Sequence, residues 1–216
     1  MQNERTAPTR ENEVPSRKST LPLRDFLDRL GMDAGIGDHH AAMGAELERR
    51  MTTEAWSQAS EFFSYTRKAH LDAAALTLAR LLDKRHDAVT FRRLQRLIES
   101  EAGRFREASP DEVRKRIIPH VEEEINGLIK MAEPIKTRRD QLMAHNAQKQ
   151  TLRNSEWMLE FSELERALGK AIALVNYLKT ALEGSPTYMI KGAIRGNIAA
   201  ELDRVMQPFS ATSSET

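Results

Sequence analysis

The sequence predicts an all-α fold. Apolar residues recur at three- and four-residue steps along nearly every segment, no run of alternating β-branched residues is bounded by turn signals, and the stretch from Phe161 to Leu182 keeps heptad spacing. The expected architecture is a bundle of long antiparallel helices with short additional helices. It forms a single domain over residues 21–209. The flanking segments 1–20 and 210–216, rich in Asn, Glu, Arg, Thr, Pro and Ser without apolar period, are expected to be disordered.

In chain order, short helices are predicted around LPLRDFLDRL and HHAAMGAELERRM, with DAGIGD as the loop between them. A long helix follows from near Thr53 to near Asp83, its buried face carried by Leu71, Ala75, Leu78 and Leu82. Next comes TFRRLQRLIES. The clearest start is SPDE, where Ser109 caps, Pro110 takes the first helical position and Glu112 completes a capping box. Val113, Ile117, Val121, Ile125 and Leu128 form its stripe, while Pro119 and Pro134 each lack a backbone donor and are expected to kink or break the helix. The spine of the bundle is Phe161, Leu164, Leu168, Ala171, Val175, Leu178 and Leu182, stopped by Gly184. A last helix carries Ile190, Ile194, Ile198, Leu202 and Val205, with Gly192 and Gly196 for close approach.

Composition narrows the chemistry. In 216 residues there is no cysteine, which removes disulfides, thiolate metal sites and cysteine nucleophiles. Against 32 Asp and Glu stand 33 Lys and Arg, so nucleic acid, if bound, is bound locally rather than by a basic coat. No apolar run approaches a membrane span and the start MQNERTAPTR lacks a secretory apolar stretch, so a cytoplasmic address with no membrane partner is expected. GIG at 35–37 follows no strand and lacks the later glycine and lysine of a phosphate-binding loop. Asp38, His39 and His40 look like metal ligands, but adjacent residues point apart and no His-x-x-x-His accompanies them, so a surface loop is expected, with no metal and no cofactor.

The stretch KTRRDQLMAHNAQ at 136–148 holds the candidate catalytic group. The interval of Arg, five residues, His runs from Arg139 to His145, and also from Arg80 to His86 and from Arg114 to His120. Context separates the three. Arg80 lies in an apolar run with His86 past the helix end, and His120 follows Pro119 on a helix whose buried face is already assigned, so both look structural. Arg139 is instead followed by polar Asp140, with Leu142, Met143 and Ala144 facing a core and His145 near the helix end. Basic clusters at Arg92, Arg93 and Arg96, and at Arg114, Lys115 and Arg116, read either as solvated faces or as phosphate contacts around a cleft.

RDQLMAH at 139–145, with EFFSYTRKAHLDAAALTLARLLDKRHDAVTFRRL upstream, resembles the HEPN superfamily (higher eukaryotes and prokaryotes nucleotide-binding). The closest likeness is to the HEPN-like domain of bacterial abortive-infection proteins, over roughly residues 50–183. The resemblance implies a metal-independent endoribonuclease of phage defence or toxin–antitoxin stress response, acting on RNA as a homodimer with facing motifs, with an antitoxin as a possible partner. His145 would act on the 2'-hydroxyl or the leaving oxygen, Arg139 would stabilise the phosphorane, and Asp140 would orient either. Lys136, Arg138, Asn146, Arg92 and Arg96 would contact RNA. The residue types suit the chemistry, because histidine exchanges protons near neutral pH and arginine's fork matches two phosphate oxygens. The alternative is a catalytically silent HEPN-like binding or dimerisation module.

Helix geometry adds a constraint. At about 100° per residue, Arg138 and His145 share a face about 10 Å apart along the axis, whereas Arg139 and His145 diverge by about 120°. Joining arginine to histidine therefore needs a helix break near His145 or a second chain. One departure from the family stands at Ala147, where toxins paired with a nucleotidyltransferase often carry a modified Tyr.

Overall fold

The computed structural model describes residues 21–50, 60–85, 88–146, 160–184 and 197–205, with the side chains of 138–146 outside that description. The chain runs α1 (Leu23–Arg50), α2 (Ser60–Leu81), α3 (Phe91–Ser100), a 3-10 turn (Ala102–Arg104), α4 (Pro110–Glu112), a π turn (Val113–Ile117), α5 (Ile118–Asn146) and α6 (Phe161–Glu183). Residues 197–205 are also helical, and no strand occurs among the described residues. The fold is all-α.

Pairs across the seams give the topology. Asp33–Arg80 and Glu48–Arg67 ion pairs run α1 antiparallel to α2. Arg24–Glu183 and Asp28–Lys179 do the same for α1 and α6, and Glu124–Lys170 with the His120–Tyr177 ring contact for α5 and α6. Four long helices therefore alternate in direction around one core, with α3 packed against α1 and α5. All the stripe residues named for α5 and α6 are buried, as are Leu71, Ala75 and Leu78 on α2; Leu82 is half-buried. At an estimated 1.5–3 kcal/mol for each fully buried large apolar side chain, these stripes supply the main driving force.

The caps at Ser109 and Gly184 fall where the sequence puts them, and Thr90, read there as part of its helix, adds another. Thr90 accepts a hydrogen bond from the Arg93 N–H at the start of α3. Ser109 accepts from the Glu112 N–H while the Glu112 carboxylate accepts from the Ser109 N–H, completing the box. Gly184 closes α6 at φ 72°, a left-handed conformation that suits glycine. In the last helical segment Ile198 and Leu202 are buried, but Val205 is half exposed. Ile190, Gly192, Ile194, Gly196 and Thr53 lie outside the described residues.

Three expectations change. DAGIGD is not a loop: α1 passes straight through it for 28 residues. Its glycines serve packing instead of turning. A Cβ on Gly44 would stand 1.9 Å from the Phe161 ring, and one on Gly37 would stand 2.9 Å from a Leu168 methyl, so α1 and α6 approach more closely than alanine allows. Pro119 and Pro134 do not end their helix either. The π turn lies directly ahead of Pro119, and its wider ring leaves room where the missing donor and the pyrrolidine would disrupt α-helical turns; Pro134 sits inside α5, which continues to Asn146. Finally, Asp38, His39 and His40 are not on a surface loop. They lie within α1, Asp38 is buried, and His40 reaches His70 on α2.

Candidate nucleic-acid groove and catalytic helix

The end of α2, the start of α3 and the second half of α5 leave a groove of about 740 Å³. Ala75, Leu78, Ala132 and Ile135 give it an apolar floor. Four cationic side chains line it, Arg80, Lys84, Arg92 and Lys136, against two carboxylates, Asp83 and Glu133. The local balance is thus positive in a chain that is nearly neutral overall. A concave lining with a net positive balance favours a polyanion over a cation. Arg80 also pairs with Asp33 at 2.9 Å and stays 59% exposed. Arg92 Nε is buried and has no hydrogen-bond partner among the described residues.

Two of the residues named for RNA contact, Arg92 and Lys136, are therefore brought together from different helices. Arg96 sits one turn further along α3, exposed and outside the groove lining. Arg93 stacks instead over the Phe26 ring at 5.4 Å, and Arg114 pairs with Asp111 on the surface at 3.6 Å. His120 is exposed and packs edge-on against Tyr177, while His86 lies outside the described residues. The sequence reading missed Lys84 and set Arg80 aside as structural. The available signal was the dense DKR run at the end of α2, which marks charge but not the cleft it faces.

Arg138, Arg139, Asp140, His145 and Asn146 occupy the last turns of α5, whose backbone is helical through Asn146; their side chains lie outside the described residues. Backbone register still orders the positions. Around an α-helix of about 100° per residue, position 139 falls about 60° and position 140 about 40° from groove-lining position 136. Positions 138 and 145 fall about 160° and 180° away. Along the axis, position 145 lies about 13–14 Å beyond position 136. The groove face of α5 thus continues into positions 139 and 140, and position 145 lies on the other side of an unbroken helix.

A HEPN family model described as AbiU2 matches residues 32–193. The chain belongs to this family. The match covers three of the four long helices in full and most of α1, including the groove and positions 139–145. It extends beyond the part of the chain that carries the sequence resemblance. No curated protein and no solved structure gives a significant match. Among the described residues no helix is long and apolar enough to cross a membrane.

Proposed function

We propose that this AbiU2-type HEPN protein is a metal-independent endoribonuclease of the bacterial cytoplasm, acting in abortive infection or a related stress response, with an antitoxin or other regulator restraining it. The observation that carries the reading is the continuous α5: its groove side leads from Lys136 to Arg139 and Asp140, while His145 belongs to the opposite side. A helix continuous through His145 to Asn146 supports the second of the two ways of joining the pair, a second copy. The site is composite. RNA backbone lies along Arg80, Lys84, Arg92 and Lys136 of one chain, Arg139 of that chain meets the scissile phosphate, and His145 of the other chain supplies the proton transfer. The register favours Arg139 over Arg138 for the phosphate.

In this mechanism His145 takes the proton from the 2'-hydroxyl or gives one to the 5'-oxygen leaving group. The 2'-oxygen attacks the adjacent phosphorus, the P–O5' bond breaks, and a 2',3'-cyclic phosphate remains. Arg139 stabilises the charge that gathers on the equatorial oxygens. Each contribution is worth about two orders of magnitude or more in rate.

Cleavage of RNA by the purified chain in EDTA tests the reading. His145→Ala and Arg139→Ala each lower the rate by about two or more orders of magnitude, whereas His120→Ala and His86→Ala do not. Mixing the two inactive variants restores cleavage, because a mixed dimer holds one intact composite site. A monomer mass by light scattering at micromolar concentration, or full activity in His145→Ala, overturns the mechanism. A wild-type chain that binds RNA without cutting it replaces the enzyme with a silent binding module.

A further inference from the structure

Away from the groove, α1 and α2 bring two imidazoles together: His40 Nδ1 and His70 Nδ1 stand 2.9 Å apart, with ring centroids at 5.1 Å. The contact spans 30 residues of sequence and joins two rigid helices. The helix pair is held on either side of it by Asp33–Arg80 and Glu48–Arg67. Both rings are half-buried, which leaves an approach from solvent. His70 lies ten residues before Arg80, about 15 Å along α2 from the groove cations.

Two ligands at a metal–imidazole length of about 2.0–2.1 Å subtend about 2.9 Å when they sit at 90°, and about 3.4 Å at the tetrahedral angle. The observed separation matches the first case. We propose that His40 and His70 form a bidentate chelate for a square-planar or octahedral divalent ion, copper(II) or nickel(II), bound through both Nδ1 atoms. Imidazole suits these ions, and they favour right-angled ligand pairs over the tetrahedral arrangement of structural zinc. No third His, Asp or Glu among the described residues joins the pair, so water fills the remaining positions.

The chemistry balances without a net proton. In the metal-free pair one Nδ1–H donates to the other Nδ1, and on binding that proton moves through solvent to the donor ring's Nε2. Both rings then present an Nδ1 lone pair while remaining neutral. Burial lowers the pKa of His40 and of His70, helped by the neighbouring His39 in the first case and by His40 and then His39 in the second, a direction that suits neutral rings.

Titration of the full chain with nickel chloride and with copper sulfate tests the site. One equivalent binds, and nickel raises the melting temperature as any ligand of the folded state does. His40→Gln and His70→Gln, which keep bulk and helix, each weaken binding by at least about tenfold, the loss that removing even an outer partner of a metal ligand causes. His120→Ala leaves it unchanged. Far-UV circular dichroism shows that the variants fold. Absence of a stoichiometric site at about 100 µM metal, or full binding in the His40→Gln/His70→Gln double variant, overturns the proposal and leaves a hydrogen-bonded pair. Tighter zinc than nickel binding overturns the geometric argument. These outcomes are independent of RNA cleavage, which is assayed in EDTA.

Discussion

The α1–α6 and α2–α5 seams belong to one bundle yet meet solvent in opposite ways. Along the first, Gly44 lets the Phe161 ring lie against the α1 backbone, Gly37 does the same for Leu168, and the polar contacts sit at the rim, where Lys179 reaches Asp28. Along the second, no glycine draws the helices together, and long charged side chains at Arg80, Lys84 and Lys136 keep a groove open above an alanine and isoleucine floor. Small residues at a seam exchange solvent for packing density, whereas long cationic ones exchange packing for a place to put an anion. The fold is stabilised on one side so that the other side can stay open.

The tight seam is the one to break first. Leu168→Ala and Leu178→Ala, both fully buried, each lower stability by about 2–5 kcal/mol. Thermal or urea melting reads the change, and unaltered melting in both variants would place the stripe outside the core. RNA cleavage lost through these two changes says nothing about chemistry.

A smaller effect, confined to the open seam, is expected from Arg92→Ala and Lys136→Ala. Each weakens RNA binding about equally for all sequences and reduces the slope of affinity against salt by about one, without lowering the melting temperature. Equal losses from Arg96→Ala, which lies outside the groove, would move the RNA path elsewhere. The comparison then sharpens: mutations in one seam change stability alone, and those in the other change binding alone.

The smallest effect lies at the end of α1, where the dry seam gives way to charge. Arg49 and Arg50 both donate to Glu46, and Arg50 reaches on to Asp203 and the Ala199 carbonyl, tying the helical segment 197–205 to the bundle. The hydrogen bond from Arg49, then that from Arg50, hold the Glu46 carboxyl down at about 2. A carboxylate with a lowered folded pKa stabilises fully above its unfolded value, about 4.3, and loses that contribution as pH falls toward the folded one. Glu46→Gln therefore melts below wild type at pH 6, and the gap closes between about pH 4.3 and 2. A gap that widens on acidification would refute the pairing.

What was legible in the sequence was local. The capping box at Ser109, the stop at Gly184 and the stripes of α5 and α6 each depend on residues within a few positions of one another. The continuity of α1 was not legible, because the turning preference of the DAGIGD glycines is visible in the chain while the Leu168 side chain that packs against Gly37 is 131 residues away. The groove was half legible for the same reason. Arg92 and Lys136 were marked by charge, but nothing in the sequence says that they meet each other and Arg80. The pairing of His40 with His70 was hidden by the same distance. The interval between Arg139 and His145 recurs twice elsewhere, so it took the local context of polar Asp140 and the helix end, together with the family likeness, to point to this pair.

The π turn ahead of Pro119 has a further effect on the motif. The buried positions Val113, Ile117, Val121 and Ile125 advance by four residues each time, a spacing that in an unbroken α-helix drifts about 40° per step. The wide turn takes up that drift over the first step, from Val113 to Ile117, acting as one residue inserted into the register. Everything after it is turned with it, including Arg139 and His145 about six to eight turns downstream by the 3.6-residue count. Were the same residues wound as plain α-helix, the extra residue would leave the Arg/His interval untouched and yet rotate it by about 100° relative to the rest of the bundle. The aim of the motif is thus set by the gearing of a turn far from it.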